Sequence, residues 1–445
     1  MHRPPRRRPA TCSTAMRPGR GFGSGKRAAA GSSSSIDALP DGVLEHILGF
    51  LLAPEAVRTC VLSRRWRHLW RSAPALRFGC LDSDGQVPPP VGEHRVLVDR
   101  LLLLRGGGGP PLDTCDIRLS EALHNVDVDD LRRRVNFWVR HAVAACKARS
   151  LRLHIDWYLF PYLDDMPLFS QHLTRLHLRG VCVHSSFFDF SGCPALECLD
   201  LVTCSLSMPS KISSDSLKHL NITRCLLSED HRMRIHAPSL VSLRLDLNKD
   251  LTPMLDSMPS LLEAFVRIGE LSGDYCFELC DEPFLQLQDC VCLFCVSSHG
   301  GGGDESCVLF NGLSEAKSLV LISTPSSLVS PQSLLILFKW ELRWCPVFSK
   351  LKTLLLNEYW CTPDDFGPLV CILEQSPVLE ELTLVLFSEG PKYEVEMKGS
   401  IISPMERPAT ISEHLNIVKV KCQAVDERVL KVLKFLSTLN ISFTS

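Results

Sequence analysis

The sequence predicts an α/β repeat solenoid preceded by a small all-α helical segment. Three observations carry this expectation. A short phrase, apolar-x-x-Leu-x-Leu, recurs at near-regular spacing through the middle of the chain. Upstream of it, two short stretches place apolar residues at helical rather than alternating spacing. The 445 residues are 45% hydrophobic, enough for a large core. No apolar run reaches the ~18 residues that a membrane helix needs, so no membrane partner is expected.

Residues 1–35 read as a disordered basic tail. Eight basic residues (Arg3, Arg6, Arg7, Arg8, Arg17, Arg20, Lys26 and Arg27) and no acid give it a charge of +8. The whole chain carries −2, so the remainder carries −10. The tail lacks the apolar core of a secretory signal. Its composition also fits an organelle transit peptide, or a nuclear-import patch at Arg6-Arg7-Arg8. The expected location is nucleus and/or cytoplasm. A nearly neutral total argues against nucleic-acid binding through broad electrostatics.

Residues 36–78 form the helical segment. Val43, Leu44, Ile47, Leu48 and Leu51 make one stripe of a helix. Pro40 and Asp41 open it, by a preset φ and by a charge near the positive end of the dipole. Gly49 and Pro54 mark its end. A second helix is expected from about Glu55, with Val57, Val61, Leu62, Trp66, Leu69 and Trp70 on one face. Arg58, Arg64, Arg65, Arg67 and Arg71 lie on the other. Two short helices in ~40 residues cannot bury this much apolar surface between themselves. Either the segment packs on its own domain, or part of the stripe belongs to a partner protein.

The same residues resemble an F-box. Leu39-Pro40, Ile47-Leu48 and the run from Val61 to Trp70 fill that family's Leu-Pro, Ile-Leu and Val-Ser-Lys/Arg-x-Trp-x-x-Leu positions. The stretch from Arg58 to Trp66 has the form seen in plant F-box proteins. The resemblance implies docking on a Skp-type adaptor and, through it, on a cullin-RING ubiquitin ligase. Carried over by position, the adaptor contacts are Leu39, Pro40, Ile47, Leu48, Val61, Leu62, Trp66 and Leu69. Ala53-Pro54 departs from the acidic or polar loop common between the family's helices.

Residues 79–147 read as a linker and an N-terminal capping repeat. Pro88-Pro89-Pro90 and Gly106 to Gly109 punctuate loops. Leu131, Val135, Trp138, Val139, Ala142 and Cys146 follow a helical period.

From 148 to 390 the recurring phrase dominates. It appears as Leu173-x-x-Leu176-x-Leu178, Leu196-x-x-Leu199-x-Leu201, Leu217-x-x-Leu220-x-Ile222 and Leu240-x-x-Leu243-x-Leu245. Weaker copies start at Ala148 and Leu261. The six starts lie 25, 23, 21, 23 and 21 residues apart, within the ~20–29 residues of a leucine-rich repeat. Cys204, Cys225 and Asn248 stand eight residues after three of them, at that repeat's Asn/Cys position. Each phrase is a short strand whose inward residues, two apart, fill a core that only stacking completes. The result is a leucine-rich-repeat horseshoe. Arg152, His154, Arg175, His177, Asp200, His219, Asn221, Thr223, Arg244 and Asp246 point to its concave face. Arg175, His177, Asp200, Asn221 and Arg244 are the expected target contacts. Later copies at Leu351 and Leu379 are less regular, and Gly300 to Gly303 mark a flexible insertion.

Residues 391–445 read as strand then helix. Leu415 to Val420 alternates, and Val429, Leu430, Leu433, Leu436 and Leu439 make an apolar helical face. His414-Leu415, Val418-x-Val420 and the acidic Glu427 resemble the FBD domain that ends many plant F-box/leucine-rich proteins. Cys422-Gln423-Ala424 stands where that family has an aromatic and a glycine turn.

Twenty cysteines, without a secretory signal, read as reduced thiols used as small hydrophobes. The densest group is Cys276, Cys280, Cys290, Cys292 and Cys295; its two short gaps could serve zinc, but buried thiols are the preferred reading. No metal and no cofactor are expected. Gly-x-Ser-x-Gly, His-Glu-x-x-His and Walker patterns are absent. Asp365-Phe366-Gly367 spells a kinase triplet without its partner loops and reads as a turn. The expectation is a non-catalytic substrate-receptor subunit of an SCF-type ubiquitin ligase, binding an unknown target protein. The alternative is an F-box interaction scaffold, or a small-ligand receptor without a ubiquitin-transfer role.

Overall fold

The computed structural model describes residues 36–79, 91–106, 108–120, 127–156, 161–272, 308–323, 345–361, 366–386, 393–398 and 412–438. The chain divides into two units, Met1–Pro40 and Asp41–Ser445. In the first, Ile36–Ala38 forms a single 3-10 turn, closed by Leu39 N–H donating to the Ile36 carbonyl at 3.2 Å.

The second unit opens with helices α1 (Asp41–Leu48) and α2 (Ala53–Arg58), then 3-10 turns at Thr59–Val61 and Leu69–Arg71. Asp41 starts α1 as expected, and Leu44 and Leu48 are its buried residues. The second helix differs from expectation at both ends. Pro54 lies inside its first turn, where a missing N–H costs nothing. Leu52 N–H donates to Glu55 Oε2 at 3.4 Å. At the far end the Thr59 hydroxyl donates to the Ala56 carbonyl at 2.7 Å, and the backbone tightens into the 3-10 turn. Val57, Val61 and Trp66 therefore do not share one helical face.

A long sheet follows. Its strands are β1 (Ala75–Phe78), β2 (Thr114–Ser120), β3 (Ser150–Asp156), β4 (Arg175–Arg179) and β5 (Cys198–Val202). Then come β6 (Lys211–Ser213), β7 (His219–Thr223), β8 (Arg234–His236), β9 (Ser242–Asp250), β10 (Met254–Leu255) and β11 (Glu263–Ser272). The last are β12 (Ser318–Ser323), β13 (Thr353–Asn357), β14 (Glu381–Leu386), β15 (Tyr393–Lys398) and β16 (Ile417–Cys422). Thirteen form one sheet in the order β1-β2-β3-β4-β5-β7-β9-β11-β12-β13-β14-β16-β15. Its pairs are parallel except β15 against β16. A second parallel sheet runs β10-β8-β6. Helices α3 (Val91–Arg105) and α4 (Val128–Ala144) flank β2 in sequence.

Two columns of apolar side chains run across the long sheet in register. One passes from Leu151 through Leu176, Leu199, Leu220, Leu243, Ala264, Leu319, Leu354 and Leu382 to Val418. The other, two residues on, passes from Leu153 through Leu178, Leu201, Ile222, Leu245, Val266, Leu321, Leu356 and Leu384 to Val420. Every member is buried. The expected start residues Leu173, Leu196, Leu217, Leu240 and Leu261 are buried as well.

The cysteines eight residues on behave as ladder residues. Cys204 Sγ donates to the Leu178 carbonyl at 3.3 Å and Cys225 Sγ to the Leu201 carbonyl at 3.4 Å. Directly after the strands, Gly180, Thr203 and Arg224 adopt φ of 70°, 47° and 53°. Their N–H groups reach the carbonyls of Val202, Thr223 and Asp246 on the next strand. The same left-handed turn thus recurs from unit to unit.

The sheet extends past the repeats read from the sequence at both ends. At the front, β1 pairs with β2, so the helical segment runs straight into the sheet. Buried Arg105 ties it there: its guanidinium donates to the Arg71, Trp70 and Pro110 carbonyls. Arg77 Nε adds a bond to the Gly49 carbonyl at 3.0 Å. The helical period between Asp127 and Cys146 is α4, whose Asp127 side chain caps the N–H groups of Asp129 and Asp130. At the rear, β16 pairs with β14. The helix Glu427–Thr438 buries Val429, Val432 and Leu436. Leu430, expected on that face, is exposed, because positions 429, 432 and 436 set the buried stripe. The Gly300–Gly303 stretch and Leu439 lie outside the described residues.

Core and turn positions carry separate tests. Leu199→Ala should cost about 2–5 kcal/mol by leaving a cavity in the first column. Gly180→Ala should also lower the melting temperature, since a Cβ there would sit 1.8 Å from the Ile155 carbonyl oxygen at φ 70°. Gly42→Ala meets nothing within 4 Å and should leave melting unchanged or raise it slightly. Thermal unfolding of the three variants beside the wild type is the measurement.

Candidate interaction surfaces

The first surface is the helical segment. Of the sequence-expected adaptor contacts, Leu39 is half-buried and Pro40 exposed, both in the first unit. In the second unit Ile47 is half-buried, while Val61 and Leu62 are 86% and 63% exposed. Leu48, Trp66 and Leu69 are buried, Trp66 to 2%. A side chain without accessible area offers a partner no surface, so these three support the segment from beneath. Val43 and Phe50, at 43% and 68% exposure, add apolar surface that was not singled out as contact. Phe50 stands just past the end of α1, seven residues after Val43 and three after Ile47, a helical spacing that was a signal for it. Val43, Phe50, Val61 and Leu62 are thus four exposed apolar residues within twenty positions of the chain.

The second surface is the open face of the long sheet, whose outward residues alternate with the two buried columns. His177, Asp200, Asn221 and Arg244 are successive register partners in one row. Arg175 lies one row toward the strand starts, in line with Ser150, Cys198 and His219. The five expected target contacts therefore share a face, but not one row. His177 Nδ1 is 3.8 Å from Asp200 Oδ2. His177 foremost, and then Asn221, hold the Asp200 carboxyl below the usual aspartate range against the cost of partial burial.

The row continues past Arg244 with a change of character. Its next members are Phe265, Val320 and Leu355, with Ile322 and Val385 one row on. All five are half-buried. This apolar strip was missed because the outward residues were followed only as far as Asp246. A signal was available: Leu319-Val320-Leu321-Ile322 is a continuous apolar run, the pattern of a strand with apolar residues on both faces. Arg244 bounds the strip, its guanidinium carbon 3.9 Å from the Phe265 ring centroid. Arg267 Nε bonds Asp246 Oδ1 at 2.7 Å, while Arg244 Nη2 stays 3.8 Å from Asp246 Oδ2.

Among the described residues, no three His, Cys, Asp or Glu gather as a metal site, and no helix is long and apolar enough to cross a membrane. Cys276, Cys280, Cys290, Cys292, Cys295 and Asp365 lie outside the described residues. The described cysteines are free thiols and mostly buried. Burial pushes the Cys361 thiol up to about 12 and that of Cys146 up to about 11. Half-buried Cys371 moves the other way, to about 7, because a hydrogen bond from Cys345 favours its thiolate. Since the thiolate is the reactive form and exists above the pKa, alkylation of Cys371 should rise with pH through a midpoint near 7. Cys345→Ala should shift that midpoint upward. Mass-spectrometric quantification of iodoacetamide labelling over a pH series checks both expectations, with Cys361 as the unreactive reference.

The sequence is similar to those of known proteins. Residues 36–77 match the F-box domain. An F-box/FBD/LRR-repeat protein of Arabidopsis thaliana is 24% identical over 405 residues, 82% of this chain and 80% of the relative. An FBD-associated F-box protein of the same plant is 36% identical over 272 residues, 54% of this chain and 60% of the relative, so the match spans less than two thirds of that protein. F-box/LRR-repeat protein 25, also of Arabidopsis thaliana, is 31% identical over 246 residues, 48% of this chain and 86% of the relative. With an F-box domain at its front, a strand-rich parallel sheet behind it and relatives of this length and identity, the chain belongs to the plant F-box/LRR-repeat family.

Proposed function

We propose that this chain is the substrate-receptor subunit of an SCF-type cullin-RING ubiquitin ligase. In this reading the F-box binds a Skp-type adaptor, and through it a cullin. The parallel sheet is the lining of a leucine-rich-repeat horseshoe whose concave face takes the target protein. The observation that carries the reading is the exposed apolar group Val43, Phe50, Val61 and Leu62 on the segment matched to the F-box. It stands at the end of a sheet with an open, chemically varied face. Arg105 and the β1–β2 pairing tie the segment to the sheet, which suits a part that presents cargo to a second machine. The chain itself makes no bond. It raises the effective concentration of the target near the transferring machinery, in the nucleus and/or cytoplasm.

Adaptor binding gives the test. Val61→Asp combined with Leu62→Asp places two charges where apolar surface meets the partner. If each apolar side chain is worth the ~2 kcal/mol of a hot spot, affinity should fall about 30-fold per site. Melting should hardly change, because exposed substitutions usually stay within ~0.5 kcal/mol. Trp66→Ala should instead lower the melting temperature, at a cost of about 3–5 kcal/mol, and weaken adaptor binding by loosening its support. Titration of purified full chain with a Skp-type adaptor decides, and wild-type affinity in the folded double variant rejects the assignment.

A further inference from the structure

We propose that the open sheet face from β9 to β14 takes an extended target segment in which an apolar side chain stands directly beside a carboxylate. This rests on the receptor reading and narrows it to a chemical class of target. The apolar part of the site is the strip of Phe265, Val320 and Leu355, register partners on three adjacent strands, with Ile322 beside them. These side chains stand on the face opposite the buried columns and are only half-buried. An extended segment crossing the strands would cover them with one large apolar side chain, the usual anchor of a peptide site.

The charge pattern sets which neighbour that anchor has. On the β16 side, Lys419 bonds Glu381 at 2.9 Å. Lys419 and Lys421 also stand in register with Glu396 and Glu394 of β15. There a lysine already has a close carboxylate. On the β9 side, Arg244 and Arg267 both approach the carboxylate of Asp246. Arg267 holds it closely at 2.7 Å, and Arg244 only at 3.8 Å. Glu263 lies one row back, in line with Ser242 and Ser318 rather than with Arg244. The Arg244 side chain is 48% exposed, with its guanidinium carbon 3.9 Å from the Phe265 ring centroid. A planar guanidinium in that position offers a paired donor edge to a carboxylate. The acid therefore belongs on the Arg244 side of the anchor, and a basic residue there would be repelled.

A random dodecapeptide phage library, selected on immobilised full chain, tests this. Enriched clones should share Leu, Ile or Phe next to Asp or Glu, and a synthetic peptide from the consensus should bind in solution. Arg244→Glu should weaken that peptide at least tenfold and restore binding to its acid-to-lysine counterpart. Leu355→Asp should weaken both peptides. Because Leu355→Asp could disturb folding, the exposed Arg244→Glu exchange decides alone if that variant melts early. No enrichment, as when a segment of the chain itself occupies the face, overturns the proposal. So does a consensus without a carboxylate beside the apolar residue, or an affinity indifferent to Arg244→Glu. Adaptor titration of the same samples is separate: its loss would reject the receptor reading, while the peptide result still decides the chemistry of the face.

Discussion

Everything in the second unit hangs on the lateral stacking of two apolar columns across the long sheet. A single strand of five residues cannot exclude water from its two inward side chains. Placed between neighbours at the ~4.8 Å strand spacing, the same two side chains become fully buried. At roughly 1.5–3 kcal/mol per buried Leu, Ile or Val, ten strands in register supply the main favourable term. They also fix where every outward residue must stand. The left-handed turns at Gly180, Thr203 and Arg224 and the thiol bonds of Cys204 and Cys225 follow from that constraint. Each returns the chain to the same height at the next strand.

The helical segment depends on the same sheet. Leu44, Leu48, Trp66, Leu69 and Trp70 form its interior, but two short helices hold too little core to stand alone. The β1–β2 pairing and the buried Arg105 couple it to the strands. Desolvation pulls the Arg105 pKa below the usual guanidinium range, and the carbonyls of Trp70, Arg71 and Pro110 are what make a buried guanidinium tolerable. These bonds hold the end of the helical segment, at Trp70 and Arg71, to Arg105 at the end of α3.

Once inward positions are committed to burial, outward positions are free to vary in chemistry. The face changes from charged and imidazole residues on β3 to β9 to an apolar strip on β11 to β14. No single strand shows this change. It emerges only when residues 20 to 55 apart in sequence are brought into one row by the register. A face with both characters can discriminate by anchor and by charge together, which separates closely related targets better than either alone.

The sequence by itself determined the repeating strands at Leu176, Leu199, Leu220 and Leu243, because period-two alternation and a near-constant step are local and countable. It determined the opening of α1 at Asp41, the helical period that forms α4, and the F-box resemblance of residues 36–78, of which 36–77 match that domain. Local chemistry writes all of these. It left β12 unmarked, since Ala316 lies 55 residues after Leu261 and outside the regular step, and it set the 391–445 strand apart although β16 pairs with β14. Only the tertiary structure decided which F-box residues keep accessible surface. Trp66 and Val61 belong to the same motif, yet one is 2% and the other 86% exposed. The physical reason is that burial belongs to a residue's whole surroundings. The α-helix ends at Arg58 and gives way to a 3-10 turn, so residues that one continuous helix would place on a shared face are parted.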